Sequence, residues 1–376
     1  NQTLSGATTF EKIQINSSSI LTTSSNITIN NELKLYGELH PDVTTTISGT
    51  GDLTVKNYGD LYVYTENFTD NYPISGTIDL EKYSFVNYAS PTITQYISNA
   101  FSYGRLRISG GSTKELTANL PDLQSSNSSS GRVYIDTGIF DLKTFTINRG
   151  TSSTGGQFII AGGSVLKIGG TNGFPSNYSY KNVNNTSTVE YYGNNQTIED
   201  LNYGNLIFSA TSGSVVKTMP TTPLVIYGDF TASIGTGTAL SFTAGNNIDI
   251  RQSINLGSNV TFDGASYTHY FRGNWTNNGA YIGSTSKSYL RGVNSNMSGS
   301  GVNNFYDLYF YAANVTGSST SPITVSGNLY TSAGGTFTHN AGGTLTMNGN
   351  NSIIYGSGLN LYNLTILDTT TTNYNI

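Results

Sequence analysis

The stretch "ITVSGNLYTSAGGTFTHNAGGTLTMNG", Ile323 to Gly349, is a series of short apolar pieces cut by Gly, Asn and Ser. Pieces begin at Ile323, Leu329, Phe337 and Leu345, and the series continues at Ile353 and Leu361, a step of about eight residues. Inside each piece the apolar residues lie two apart, the spacing that places them on one face of a strand. Three such pieces with their turns make a coil of about 24 residues, so the segment predicts an all-β fold, a parallel β-solenoid or β-helix. Tandem β-sandwich domains are the alternative, because many short strands with regular turns also describe sandwiches.

A second phrase recurs along the chain. "NYGNLIF" (Asn202 to Phe208) returns as "NYGDLYV" (Asn57 to Val63) and "SYGRLRI" (Ser102 to Ile108). Its pattern is an aromatic or apolar residue, two variable residues, then two apolar residues two apart. Copies fall at Phe10, Ile13 and Ile15; Tyr58, Leu61 and Val63; Tyr103, Leu106 and Ile108; and Leu142, Phe145 and Ile147. Further copies are Tyr203, Leu206 and Phe208; Phe305, Leu308 and Phe310; and Leu361, Leu364 and Ile366. These positions are expected to face the core. Most neighbouring copies lie roughly 50 residues apart or twice that, which reads as two coils per repeat. The whole chain, 1–376, then becomes one continuous array with approximate units 1–48, 49–93, 94–187, 188–290, 291–350 and a partial 351–376. At one strand spacing per coil, 15 to 18 coils would form a rod on the order of 75 Å long.

Another phrase, "LVIYGDF" (Leu224 to Phe230), "HYFRGNW" (His269 to Trp275) and "ITVSGNL" (Ile323 to Leu329), places Gly and then Asp229, Asn274 or Asn328 between apolar residues. This reads as a turn with amide side chains stacked between coils. A third echo links "VEYYGNNQTI" (Val189 to Ile198) with "FVNYASPTI" (Phe85 to Ile93), and the opening "NQTL" matches "NQTI" at Asn195 to Ile198.

Composition supports a folded β protein with many turns. Charged residues are 10% of the chain and apolar residues 36%, with 43 Gly and 27 Tyr among 376 residues. Thr, Tyr, Ile, Val and Phe favour pleated surfaces, and good helix formers are few. Net charge is −5, and no run of Lys or Arg appears, so no nucleic acid partner is expected. No apolar window is long enough to span a bilayer, so no membrane insertion is expected either. Cysteine is absent, which removes disulfides and thiolate metal sites. With so few charges and so many hydroxyl and amide side chains, the chain suits an exported bacterial or archaeal protein.

The phrases "TVEYYGNNQTIEDLNYGNLIFS" (Thr188 to Ser209) and "ITVSGNLYTSAGGTFTHNAGGTLTMNG" resemble the repeat regions of large secreted, adhesin-like surface proteins of Bacteroidota, substrates of the type IX secretion system. The resemblance covers most of Phe85 to Ile376 and is a style of repeat rather than a strict signature. It implies a stalk or adhesive shaft without chemistry of its own. A C-terminal sorting domain would normally follow, and the chain does not show one.

Candidate chemistry is sparse. His40, His269 and His339 lie far apart and lack carboxylates at ligand spacing, so no metal and no cofactor is expected. Polysaccharide cleavage needs acid and base groups a few ångströms apart. The densest acid pairs, Asp79 with Glu81 and Glu199 with Asp200, do not recur at one coil's spacing. Calcium would need several converging carboxylates, and the slot of Asp229, Asn274 and Asn328 supplies at most one per repeat. Tyrosines can stack on sugar faces, with Tyr191 and Tyr192 or Tyr309 and Tyr311 as candidate platforms, while Trp275 aligns with core positions. Sequons at Asn16, Asn67, Asn127, Asn177, Asn259 and Asn314 are candidate glycosylation sites, better placed than the strand residue Asn363, and Asp368-Thr369-Thr370 fits a short O-glycosylation pattern.

The expected function is therefore structural: a non-enzymatic extracellular or cell-surface repeat protein, a rod-like shaft or filament subunit with an adhesive role. Its expected partners are further copies joined end to end, or the continuation of a longer chain, together with glycans. A carbohydrate-binding adhesin working through exposed tyrosines is the alternative, and a polysaccharide lyase or hydrolase is the remaining one.

Overall fold

A computed structural model describes residues 1–124, 130–150, 154–210, 213–235, 239–350 and 352–367. Asn127 and the Asp368-Thr369-Thr370 pattern lie outside the described residues. The chain is an all-β parallel solenoid of about 17 turns, with a coil of roughly 21 residues. A single helical turn, Phe68–Asn71, is the one helix among the described residues. Every strand pair described is parallel, which excludes the antiparallel sandwich alternative. Two compact units are present, Asn1–Ser187 and Thr188–Ile376.

In the second unit each coil contributes one strand to each of three sheets. One coil runs through Asn205–Ala210, Ser214–Thr218 and Leu224–Ile226 before Phe230–Ile234 begins the next. The opening stretch behaves the same way. Ile323–Val325, Leu329–Ser332 and Thr336–His339 lie on three different sheets, and Thr344–Met347 returns to the first, pairing Ile323 with Leu345. The coil there is 22 residues, not 24. Shorter coils arise because corners turn at residues with positive φ, such as Asn259 (60°), Gly299 (94°) and Gly334 (75°), which reverse the chain in few residues.

The first unit builds a nine-stranded sheet from Gln2–Leu4 to Tyr180–Val183. Its early coils place Thr8–Ile15, Ile27–Leu35, Asp52–Val55 and Ile78–Leu80 on a second sheet, and its later coils place Gln95–Ile97, Thr113–Leu116, Ile139–Asp141 and Val165–Ile168 on another.

Inside, apolar side chains stack rung on rung. Leu206 pairs with Phe230, Phe230 with Ile254, and Ile254 with Trp275, and none is more than 2% exposed. Each such rung stabilises its coil by about 1.5–3 kcal/mol through burial alone. Aromatic contacts tie neighbouring rungs, as in Phe208 to Phe230 at 5.2 Å and Trp275 to Tyr281 at 5.1 Å.

Outside the core, asparagine and aspartate at the corners bridge coils. Asn205 Oδ1 accepts the backbone N–H of Asp229, and Asp229 Oδ1 accepts that of Ser253. Asn274 does the same for Asn296, and Asn328 for Ile353. A parallel coil leaves corner amides without ladder partners, and these side chains supply one acceptor per coil. The glycine before each corner residue has its own reason. At Gly228 and Gly327 a Cβ would run into the bridging oxygen of Asn205 and Asp307 from the previous coil. At Gly228-Asp229 and Gly327-Asn328 the pair therefore forms a unit, glycine admitting the bridge from below and the next residue passing it upward, whereas at Gly273 it is the Gln252 backbone that leaves no room for a Cβ.

The recurrent phrase does not mark one face. Leu206, Leu308 and Leu364 sit on three different sheets of the second unit. It is a corner-to-strand junction usable at any side of the coil, so its spacing does not count pairs of coils. Leu61, Val63, Tyr103, Leu106, Ile108, Tyr203, Leu206, Phe208, Phe305, Leu308 and Phe310 lie at 0–1% exposure. Tyr58 does not: it is 66% exposed, with φ of 69°. In the inward copies, the tyrosine hydroxyl meets a second buried tyrosine from the preceding coil, Tyr88 for Tyr103 and Tyr191 for Tyr203. The strand before Tyr58, Glu38–Pro41, offers no tyrosine, so an inward Tyr58 hydroxyl would be buried without that partner. Leu361 is half-buried, and Leu364 and Ile366, paired with Leu345 and Met347, are 39% and 38% exposed.

Candidate functional site: two aromatic and arginine faces

The chain has seven arginines, and six of them stand on just two outer faces. In the second unit all three arginines, Arg251, Arg272 and Arg291, follow inward residues that pair in register, Ile250, Phe271 and Leu290. They form one outward column in three successive coils. Alternation along the same strands makes a parallel column of Asp249, Tyr270, Tyr289, Tyr309, Tyr330 and Tyr355.

The tyrosine rings stack on one another along this column. Centroids lie 5.3 Å apart for Tyr270 and Tyr289, 4.3 Å for Tyr289 and Tyr309, 4.6 Å for Tyr309 and Tyr330, and 6.3 Å for Tyr330 and Tyr355. The middle pairs are within 13° of parallel. The faces of Tyr289, Tyr309 and Tyr330 are thus engaged by neighbours, and the column presents outward a row of ring edges and phenol hydroxyls at strand spacing, while Tyr355 meets Tyr330 at 62° and is 67% exposed. Burial raises the Tyr309 phenol well above its usual range, and the Asp307 carboxylate beside it adds to this, so the hydroxyl stays protonated.

The arginine column is partly neutralised. Asp249 takes Arg272 through two bonds of 2.7 and 3.0 Å and reaches Arg251 at 3.4 Å. Arg251 also lies over Tyr227 at 4.3 Å. Arg291 has no carboxylate partner among the described residues and rests between Tyr311 at 4.9 Å and Tyr270 at 5.6 Å. Of the proposed tyrosine platforms, Tyr309 and Tyr311 thus stand on this face. Tyr191 is fully buried and Tyr192 half-buried, so that pair forms no platform.

The face on the first unit is built on the nine-stranded sheet. One outward column runs Glu38, Asp60, Phe85, Arg105, Arg132, Gln157 and Tyr180, and its neighbour runs Tyr62, Asn87, Arg107, Tyr134, Ile159 and Asn182. Arg107 holds both Asp60 at 3.0 Å and Asp136 at 3.1 Å. Burial pushes the Asp60 carboxyl up to about 6 against the pull of Arg107, with Glu38 and Asp136 adding to the rise. His40 stacks on Tyr62 at 3.7 Å and bonds Glu38 and Tyr64.

The other singled-out residues have structural surroundings. His269 is fully buried with Nε2 2.8 Å from the Gly264 carbonyl, and burial lowers it to about 4. His339 is buried beside Phe337. Trp275 is fully buried and donates from Nε1 to Asn303 at 2.7 Å. Glu81 takes Lys56 and the Asn57 amide, Asp79 is exposed, and Glu199 lends its carbonyl to Tyr203, with Asp200 exposed beside it. Among the described residues no group of three or more His, Asp or Glu is arranged to hold a metal ion. No helix among them is long and apolar enough to cross a membrane. Asn16, Asn259 and Asn314 are exposed, whereas Asn67 and Asn177 are half-buried and donate from Nδ2 to Asp70 and to the Arg149 carbonyl.

Reading the sequence for runs of basic residues missed both faces, because their arginines never adjoin along the chain. The usable signal is coil spacing: Arg251, Arg272 and Arg291 lie 21 and 19 residues apart. Comparison with protein-family models, with curated proteins and with solved structures returned no match.

Proposed function

We propose that the chain is a non-catalytic structural repeat protein of the cell surface whose outer faces make adhesive contacts with glycans. The observation that carries this reading is the column of five tyrosines, the middle three stacked, beside the arginine column on the second unit. A purely structural coil needs only small polar residues outside, as its other corners show. Large aromatic and cationic side chains repeated at one register position form instead a surface with a fixed pitch, about 4.8 Å per coil. A linear polymer laid along it meets the same groups again at each step.

The sugar contact differs from the expected ring stacking. With the faces of the middle rings engaged by their neighbours, the chemistry along Tyr289, Tyr309 and Tyr330 is hydroxyl to hydroxyl bonding, with guanidinium bonding beside it. The resemblance to surface adhesin repeats, the absence of cysteine and the low charge support an extracellular setting.

Pull-down of the purified chain on a panel of insoluble polysaccharides tests the reading. Retention is expected on at least one, with Tyr289→Ala, Tyr309→Ala and Arg291→Ala each lowering it, since each ring or guanidinium contributes about 1 kcal/mol or more. These side chains lie outside the core, so the variants keep the wild-type circular dichroism. Retention unchanged by all three, or absent on every polysaccharide, overturns the adhesive reading.

A further inference from the structure

Arg105 and Arg132 stand directly opposite each other on adjacent strands of the first unit. Like charges in that position repel, and natural sheets pair them with opposite charge. Here the local carboxylates Asp60 and Asp136 are both taken by Arg107, and neither Arg105 nor Arg132 has a carboxylate partner among the described residues. Arg105 is only 6% exposed, with its guanidinium over Phe85 at 4.8 Å and Tyr58 at 5.1 Å. The Nε atoms of both arginines are buried without a hydrogen-bond partner. Arg132 reaches the Tyr134 hydroxyl at 3.2 Å, which in turn bonds Gln157 at 3.1 Å, so that side chain is held in place.

Two neighbouring guanidiniums with unmatched Nε donors, set among aromatic rings, are a setting whose charge and donors suit an oxyanion. We propose that Arg105 and Arg132 form an oxyanion site on the first unit that takes the carboxylate of an acidic sugar. Guanidiniums match a carboxylate in two-point geometry. The Tyr58 ring, 66% exposed, is stacked on Tyr83 at 5.5 Å with Arg105 over it, and its exposed edge borders the site where the sugar ring would lie. The site lies on the first unit and does not depend on the tyrosine column of the second.

Isothermal titration of the full chain compares a short uronic acid oligosaccharide, its methyl ester and inorganic phosphate. The free acid is expected to bind, and the ester to bind at least about tenfold more weakly, because the charge-assisted bonds are lost. Arg132→Gln, at a half-buried position, is expected to lower affinity by a similar factor. Arg105→Gln should do the same if its thermal midpoint shows that it folds, and Val216→Ala, at an exposed position on a sheet of the second unit that carries neither arginine face, should leave binding unchanged. Equal affinity for acid and ester, or wild-type affinity in Arg132→Gln, overturns the site. Phosphate binding as tight as the uronate overturns the sugar assignment, and absence of binding to all three probes overturns the proposal as a whole.

Discussion

His269 occupies a core position in the strand Thr268–Phe271, between Ile248 and Ser288 in register. Its ring is fully buried against Phe262 and Phe271, and burial lowers its pKa from 6.5 to about 4. The consequence for stability has a definite sign. Between about pH 6.5 and 4 the unfolded chain binds a proton at this residue that the folded chain refuses. The stability it contributes is therefore complete above pH 6.5 and is lost as pH falls toward 4, by about 3 kcal/mol in all. His269→Gln keeps a donor for the Gly264 carbonyl and removes the titration. Urea unfolding followed by the emission of Trp275, the chain's one tryptophan, should show a smaller loss between pH 7 and pH 4.5 in the variant than in the wild type. Equal losses would sink the assignment.

At the scale of the element, the two units share a buried polar cassette. In the first, the Ser98 amide donates to the Tyr88 hydroxyl at 3.0 Å, Tyr88 meets Tyr103 at 3.1 Å, and Tyr103 donates to the Ser98 carbonyl at 2.7 Å. In the second, Glu199, Tyr191 and Tyr203 close the same circuit at 3.4, 3.1 and 2.9 Å. Gln95 and Gln196 accept a corner amide, and the fully buried Lys114 and Lys217 donate to the carbonyls of Ser90 and Gly193. Burial pushes the Lys217 amine down to about 7. Its three oxygen acceptors, the carbonyls of Gly193 and Asn194 and the Gln196 amide, nevertheless match the three N–H donors of the charged form. Tyr203→Phe should cost about 1–3 kcal/mol in the urea transition read by Trp275, because the Glu199 carbonyl loses this donor and the Tyr191 hydroxyl its acceptor. Tyr58→Phe, at the exposed copy of the phrase, should cost almost nothing. A Tyr203→Phe cost no larger than that of Tyr58→Phe counts against the circuit. The same contrast shows what sequence could reveal. Leu206 and Phe208 announce themselves by alternation, since period two is a local property. Whether Tyr58 or Tyr103 turns inward depends on which residue stands one coil below, and that is fixed only by coil length, which corner chemistry sets. The aromatic and arginine faces were hidden for the same reason: Arg251, Arg272 and Arg291 become neighbours only when coils of roughly 21 residues are stacked.

For the whole molecule, the parallel ladder makes each coil the partner of the one before it and the one after it, with no longer-range pairing among the described residues. Stability in such an array is a sum of coil and neighbour terms, so damage spreads through adjacent coils before it reaches distant ones. Leu61 lies at 0% exposure, with Leu39 below it and Val86 above it in register. Leu61→Asp places a carboxylate in that dry stack, at a cost of more than about 4 kcal/mol, enough to open the coils around it. Hydrogen exchange should then rise across Glu38–Pro41, Asp60–Val63 and Phe85–Tyr88, while the urea midpoint reported by Trp275 in the second unit stays at its wild-type value. Leu206→Asp, placed in the second unit itself, should instead lower that midpoint. If Leu61→Asp shifted the Trp275 transition as far as Leu206→Asp does, the chain would be unfolding as one cooperative body, and a ladder of nearest-neighbour terms would be the wrong description of what holds it together.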